Sequence, residues 1–343
     1  MEKIVIHRPG GFNRLQFQTF PEPLPGENQV VVQTKSIGVN YADCVVRMGY
    51  YASAKKYVGW PITPGFEFSG TVSSVGKNVS DLPAGTRVFG VSRFDSYASH
   101  VVVPRSQLYS LPEHISFEEA AGFPVIYLTA YYALYMLVHI FPGATILIHS
   151  AAGGVGSALL QLARLGDWRT IGVVGSSHKV EEAKELGADW VIDKSKENLW
   201  QMVEKYAPQG LDAVLDGNGV TTLREGYAHL RPTGKLISYG YHAMFARKNS
   251  ILNHLKLVYS YLRTPRFHPI DLHNNNRSLA SFNLSFLFDR GDLLEIAMRS
   301  LYAWFTEGKI RMPRVTVYPF REVSRAHREL QSGKTVGKLV LNL

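Results

Sequence analysis

Thr145-Ile-Leu-Ile-His-Ser-Ala-Ala-Gly-Gly-Val-Gly156 runs from a β-rich apolar stretch into a glycine turn, and a helical pattern follows directly. A strand that feeds a helix through such a turn begins a dinucleotide-binding βαβ unit. In that unit Gly153 lets the backbone approach a pyrophosphate, Gly154 and Val155 carry the turn, and Gly156 lets the helix pack on the strand. The phosphates then face the positive end of the helix dipole. Ala151 stands where the usual fingerprint has its first glycine, so the motif depends on its surroundings. Those agree with it: Ser157–Leu165 has apolar residues at helical spacing, and Thr170-Ile-Gly-Val-Val174 is a second apolar strand where the unit should return. Leu211–Leu215 and Lys235–Tyr239 continue the alternation, which predicts an α/β fold with a doubly wound parallel sheet.

The end of the second strand bears on the cofactor. NAD-specific units end this strand in Asp or Glu for the ribose hydroxyls, whereas NADP-specific ones supply cations and donors for the 2′-phosphate. Here the strand ends Gly175-Ser-Ser-His-Lys179, with no carboxylate before Glu181. Gly175, the hydroxyls of Ser176 and Ser177, and Lys179 form the expected pocket, with Lys194 after Trp190-Val-Ile-Asp193 as a second cation; NADPH is favoured over NADH. The alternative is that Lys179 is a solvated residue in the first turn of a helix.

At 343 residues the chain has room for two domains. Its 45% hydrophobic and 19% charged residues are those of an ordinary globular protein. Cys44 is the only cysteine, which excludes an internal disulfide and a cysteine zinc cluster and suits a reducing cytoplasm, as does the charged start of the chain. Ala120–His149 contains no Asp, Glu, Lys or Arg, yet Pro124 and Phe141-Pro-Gly143 divide it into a loop, one buried helix and the first nucleotide-binding strand. It is therefore not a membrane span. The formal charge of +9 calls for an anionic partner; scattered basic residues without an arginine-rich run argue against nucleic acid.

Before the nucleotide unit lie short strands: Gln29–Gln33, Phe68–Val75, Thr86–Val91 and Tyr97–Val103. They read as a small barrel-like domain, to which Lys338-Leu-Val-Leu341 returns. The order of motifs resembles the medium-chain dehydrogenase/reductase superfamily and, within it, the zinc-free quinone oxidoreductases. The matching pieces are Gly38-Val-Asn-Tyr-Ala-Asp43, Arg47 with Gly49 and Tyr51, Pro64-Gly-Phe-Glu-Phe-Ser-Gly70, Gly76, Ala84-Gly-Thr-Arg-Val88 and Ala151–Gly156. Val336-Gly-Lys338 and a long insertion before Phe282 make the chain most similar to the branch of the synaptic vesicle amine transport membrane protein. The resemblance implies a GroES-like β-rich catalytic domain over 1–122 and 290–343. It also implies a Rossmann NADP-binding domain over 123–289, with an insertion at about 242–280 and the nicotinamide in a cleft between the domains.

Zinc relatives in the superfamily carry Cys where this chain has Asn40 and His where it has Phe66; an amide and a phenyl ring cannot replace those ligands, so no metal is expected. Without a Lewis acid, conjugated acceptors are the natural substrates, because an enolate or phenolate delocalises the charge. By resemblance, NADPH delivers hydride to a quinone or an α,β-unsaturated carbonyl. Asn40 then orients the substrate oxygen or the nicotinamide, and Tyr51 donates a hydrogen bond or proton. Asp43 and Arg47, at helical spacing from Asn40, position these groups or form a surface ion pair. Thr129, Asn218 and Tyr239, Gly240 and Tyr241 fall where relatives touch the cofactor, and Tyr127 faces the same cleft or packs in the core.

In the insertion, Ile251, Leu252, Leu255, Val258, Tyr259 and Leu262 share one helical face, with Arg247, Lys248, Lys256, Arg263 and Arg266 around it. A lid, a partner- or membrane-facing helix over 247–266, and plain core packing all fit this pattern. The alternative to the reductase is accordingly a peripheral lipid-binding or interaction protein on a reductase-like scaffold, with vestigial or regulatory nucleotide binding. Ser281–Phe286 reads as a strand where relatives pair edges across a two-fold axis, which implies a homodimer.

Overall fold

A computed structural model describes residues 1–244 and 251–343, with side chains in the second stretch from 257 onward. Two compact units divide the chain: Met1–Val125 with Ser285–Ser300 and Arg311–Leu343, and Ile126–Leu284 with Leu301–Ile310.

The first unit begins with an antiparallel pair, β1 (Glu2–Val5) and β2 (Gln16–Thr19). Its main sheet is built on β3 (Gln29–Val39), which pairs antiparallel with β4 (Glu67–Val75) and β6 (His100–Pro104). β5 (Arg87–Val91) and β7 (Leu108–Ser110) extend it beyond β4. Successive side chains of a strand point to opposite faces. Val30 and Val32 accordingly pack with Phe68, Val72 and Val88, while Ile37 and Val39 join a separate cluster with Ile62, Phe66, Tyr97 and Leu341. β3 is thus covered on both sides. The helix Tyr41–Met48 follows it directly and ends at Gly49, whose φ of 83° only glycine adopts at little cost.

The charge-free segment contains the helix Pro124–Tyr131, with proline at its first position where no N–H is needed. Among the described residues no helix is long and apolar enough to cross a membrane. The strands β8 (Thr145–His149), β9 (Arg169–Val174), β10 (Trp190–Asp193), β11 (Leu211–Asp216), β12 (Leu230–Ser238) and β13 (Ser278–Ser281) form one parallel sheet in the order β10-β9-β8-β11-β12-β13. With β8 as the first strand this is the 3-2-1-4-5-6 order of a dinucleotide-binding sheet, whose switch point lies between β8 and β11. The chain ends in the first unit with β14 (Val315–Pro319) and β15 (Lys338–Asn342), and β15 pairs with β3.

Two expectations change. The strand expected over Ser281–Phe286 ends at Ser281, and Leu284–Asp289 is a 3-10 helix. Its period-two run of Phe282, Leu284 and Phe286 mimics a strand, but the residue buried is Ser285, which hydrogen-bonds to Ser53. In the insertion the helix is Ile251–Arg263, with Val258, Tyr259 and Leu262 more than half exposed, so this part of the stripe is not packed in a core. Arg247, Lys248 and the side chains of Ile251, Leu252, Leu255 and Lys256 lie outside the described residues.

Candidate active site

Asn40 is the residue between β3 and the helix Tyr41–Met48, and its backbone N–H donates to Asp43 Oδ2 at 2.7 Å, capping the first turn. Its amide is held on both sides. Nδ2 donates to Glu67 Oε1 at 2.8 Å, and Oδ1 accepts from Lys338 Nζ. Lys338 Nζ lies 2.6 Å from Glu67 Oε1, and Glu67 Oε2 accepts the Val125 N–H at 2.7 Å. Both charged residues are buried. Such a pair is stable only when its remaining lone pairs and protons are also hydrogen-bonded, which Asn40 and Val125 do here. Gly38 makes the room: a Cβ there would lie 2.3 Å from Glu67 Oε1 and 2.4 Å from the Ala121 carbonyl.

Asp43 and Arg47, expected at the surface if paired, are buried, with 0% and 1% exposure. Asp43 accepts from Asn40 N–H, from Gly65 N–H at 3.0 Å and from the Tyr97 hydroxyl at 3.1 Å; burial pushes its carboxyl up to about 7. Arg47 instead donates to the Gly10 carbonyl at 2.8 Å and to Gln331 Oε1 at 2.5 Å, with its guanidinium over the Phe12 ring. The helical spacing was right, but the apolar residues around it enclose these side chains. Tyr51 is half-buried, its ring edge-on to Phe66 and Phe94 at centroid distances of 5.7 and 6.3 Å. Phe66 therefore fills an aromatic cluster at the position where zinc relatives have a ligand. Among the described residues no group of three or more His, Cys, Asp or Glu side chains is placed to hold a metal ion.

In the second unit Gly153 caps the helix Gly154–Leu165, whose first turn includes Val155 and Gly156. A Cβ on Gly156 would sit 2.2 Å from the Ser150 carbonyl oxygen, whereas one on Gly153 would meet only that oxygen, at 3.2 Å. Glycine at 156 thus lets the helix close on the turn, and the turn leaves backbone N–H groups at a helix N-terminus, an arrangement suited to a pyrophosphate. Asn218 Oδ1 accepts from Ser150 Oγ at 3.2 Å, which ties the loop after β11 to the end of β8. Asp216 organises that loop: it accepts from the N–H groups of Asn218 and Gly219 and from the Thr222 hydroxyl. Gly240 approaches the Gly217 backbone so closely that a Cβ would lie 2.8 Å from its carbonyl; Tyr239 and Tyr241 flank this contact.

At the end of β9, Lys179 is 9% exposed, so it is not the solvated first-turn residue of the alternative, while Lys194 is exposed and its N–H donates to Val174. Gly175 is exposed, and a Cβ there would lie 3.7 Å from Lys194 Cε. The Ser177 hydroxyl donates to Asp193 Oδ2 at 2.6 Å, and Ser195 donates to Oδ1, which holds the Asp193 carboxyl below its ordinary range. Ser176 Oγ lies 3.2 Å from His178 Nδ1. Thr129 is buried in the helix Pro124–Tyr131, and Tyr127 is fully buried with its hydroxyl accepting from Gln161 Nε2 at 2.6 Å. Tyr127 is accordingly a packing residue.

Residues 26–113 match the alcohol dehydrogenase GroES-like domain, and residues 186–341 match a zinc-binding dehydrogenase domain. The synaptic vesicle membrane protein VAT-1 homolog of Rattus norvegicus is 34% identical over 335 residues, 97% of this chain and 81% of that protein. Among solved structures, Escherichia coli quinone oxidoreductase complexed with NADPH is 28% identical, with a TM-score of 0.85 over 100% of both chains. CurK enoyl reductase is 25% identical, with a TM-score of 0.85 over 99% of each.

Proposed function

Because the chain belongs to the medium-chain dehydrogenase/reductase superfamily, close to the VAT-1 homologues, we propose that it is an NADPH-dependent, zinc-independent reductase of quinones or α,β-unsaturated carbonyls. The observation that carries this reading is the turn at Gly153–Gly156, where a glycine-rich helix N-terminus meets the end of β8 at the switch point of the sheet. The likeness to a quinone oxidoreductase complexed with NADPH supports the same cofactor.

Bound NADPH supplies the hydride. Gly153, Gly154, Val155 and Gly156 hold its pyrophosphate, and Lys179 with Ser176 and Lys194 hold the 2′-phosphate. Ser177, whose hydroxyl donates to Asp193 in the structure, belongs to the same pocket. Thr129, Asn218 and Tyr239–Tyr241 take the nicotinamide side. In the first unit, Glu67 and Lys338 fix the amide of Asn40, whose second Nδ2 hydrogen is the donor assigned to the acceptor oxygen. Tyr51 supplies the further hydrogen bond or proton. A conjugated acceptor spreads the arriving charge onto oxygen, so neutral donors suffice where an isolated ketone would need a Lewis acid.

The test is NADPH oxidation by the purified protein over quinones, enones and simple ketones, with NADH in parallel. Turnover of conjugated acceptors with preference for NADPH is expected; equal use of NADH, or turnover of simple ketones alone, overturns it. A second reading, a peripheral membrane-surface protein, is favoured by Val258, Tyr259, Tyr261, Leu262 and Ile270, all more than half exposed beside Arg263 and Arg266. It requires flotation with anionic vesicles that falls with salt; flotation that is absent or salt-independent removes it. In the reductase reading the protein is a homodimer, with β13 at the sheet edge open to pairing. No nucleic acid enters either reading.

A further inference from the structure

We propose that Tyr97 and His327 are positioning residues for Asn40, acting through a one-way chain of hydrogen bonds that ends on Asp43. The proposal rests on Asn40 as the reactive donor of the reductase.

The chain has four members, all buried at 0% exposure. Cys44 Sγ lies 3.4 Å from His327 Nδ1, His327 Nε2 lies 3.0 Å from the Tyr97 hydroxyl, and that hydroxyl lies 3.1 Å from Asp43 Oδ2. Its direction follows from the groups at one end. Asp43 also receives the N–H groups of Asn40 and Gly65, which can only donate, so the carboxylate acts as acceptor. The Tyr97 O–H then donates to Asp43, and its oxygen accepts from His327 Nε2–H. That tautomer leaves Nδ1 with a lone pair, which accepts from the Cys44 S–H. Cys44, His327 and Tyr97 are each in the neutral state this direction demands, and Asp43 reaches its accepting carboxylate form above about 7. Burial pushes the Cys44 thiol up to about 12 and His327 well below its ordinary value, and it raises Tyr97. The fit at Tyr97 is tight, because a Cβ on Gly65, where φ is 105°, would lie 2.6 Å from its ring.

No member of this chain touches the amide of Asn40. What the chain controls is the charge on the anchor that holds the Asn40 backbone. Asp43 is faced by Lys338 from β15 and Glu67 from β4. Cys44 and Arg47 share its own helix, Tyr97 comes from the segment before β6, and His327 comes from the helix Val323–Ser332. Of these, Tyr97 is the side chain that donates to the carboxylate directly. Removing its hydroxyl, or the ring nitrogen that orients it, favours the protonated carboxyl. A protonated Asp43 gains an O–H donor and is a weaker acceptor, which loosens its hold on the N–H groups of Asn40 and Gly65.

The test compares Tyr97→Phe, His327→Leu and His327→Gln. Two profiles are read against pH: kcat/KM with NADPH and a quinone, and stability in denaturant with Asp43→Asn as control. The wild type should lose kcat/KM as pH falls through about 7. Tyr97→Phe and His327→Leu should move that limb upward by about one unit and lower kcat/KM about tenfold at neutral pH. His327→Gln has both a donor and an acceptor, as the required tautomer does, and should stay near the wild type. A limb unmoved by the first two, or moved as far by His327→Gln, overturns the proposal. If Tyr97→Phe does not fold, the two His327 variants decide. Absence of wild-type turnover removes the reductase reading instead, and the stability profile then judges the hydrogen-bond chain by itself.

Discussion

The two candidate sites are built from different materials. At the glycine turn of the second unit the groups offered to a ligand are the backbone N–H donors of a helix N-terminus, and what matters about Gly153 and Gly156 is that they have no side chain. Around Asn40 the backbone supplies donors and caps, while the arrangement rests on buried side chains from the residue after β3, from β4 and β15, from the segment before β6 and from two helices. A backbone site tolerates change in its neighbours but not the addition of a methyl group. A side-chain site tolerates modest changes of shape, but not an unpaired charge. Loss of charge should therefore be the costly event in the first unit and gain of volume the costly one in the second.

The largest expected effect is Lys338→Met, which leaves the fully buried Glu67 without its cation. A loss of about 3–5 kcal/mol in urea denaturation is expected, with much of it recovered in Glu67→Gln/Lys338→Met. A loss below about 1 kcal/mol for the single variant would break the comparison. Next comes Asp43. Its folded carboxyl titrates at about 7 against an ordinary 3.8, so between these values the native state keeps a proton that the unfolded chain has released. Stability should therefore fall as pH rises from about 4 to about 7 and level off above, by up to about 4 kcal/mol relative to Asp43→Asn. A flat difference between the two proteins over that range contradicts it.

Smaller effects belong to the second unit. Gly156→Ala forces a Cβ to 2.2 Å from the Ser150 carbonyl and should cost about 2 kcal/mol in stability, with weaker NADPH binding in a fluorescence titration. Lys179→Ala should reduce the preference for NADPH over NADH about tenfold, close to 1.4 kcal/mol, with little change in NADH affinity. Equal loss for both cofactors would assign Lys179 to packing, in keeping with its burial, rather than to the 2′-phosphate.

The same contrast explains what could be read in advance. The turn, its helix and the strand alternation are contiguous in sequence, so the parallel sheet and the close packing at Gly156 were legible. The cluster around Asn40 joins residues up to 298 positions apart, and no local pattern announces it. Signals existed nonetheless: Glu67 is a lone carboxylate in the apolar run Phe66–Phe68, and Lys338 is a lone cation opening the apolar strand β15. Isolated opposite charges on two apolar strands have few stable partners other than each other. Asp43 and Arg47 were placed correctly along a helix but were open to a surface reading, because spacing gives the face of a helix and not what covers it. The bond from Ser177 to Asp193 was not legible because Asp193 ends a different strand, and parallel pairing of β9 with β10 is what brings that carboxylate within reach. The run Ser281–Phe286 failed for another reason, since alternation of aromatics serves a 3-10 turn as well as a strand.

β3 has one further consequence. It is the longest strand of its sheet, with β15, β4 and β6 bonded along it and apolar clusters on both faces. Amides held this way exchange with deuterated solvent only when a large part of a domain opens. Asn40 is the next residue after its last rung. The side chain assigned to the substrate oxygen is thus attached to a slow-breathing part of the unit. Acceptors of different girth would have to be accommodated by faster segments, while the donor itself stays where the strand leaves it.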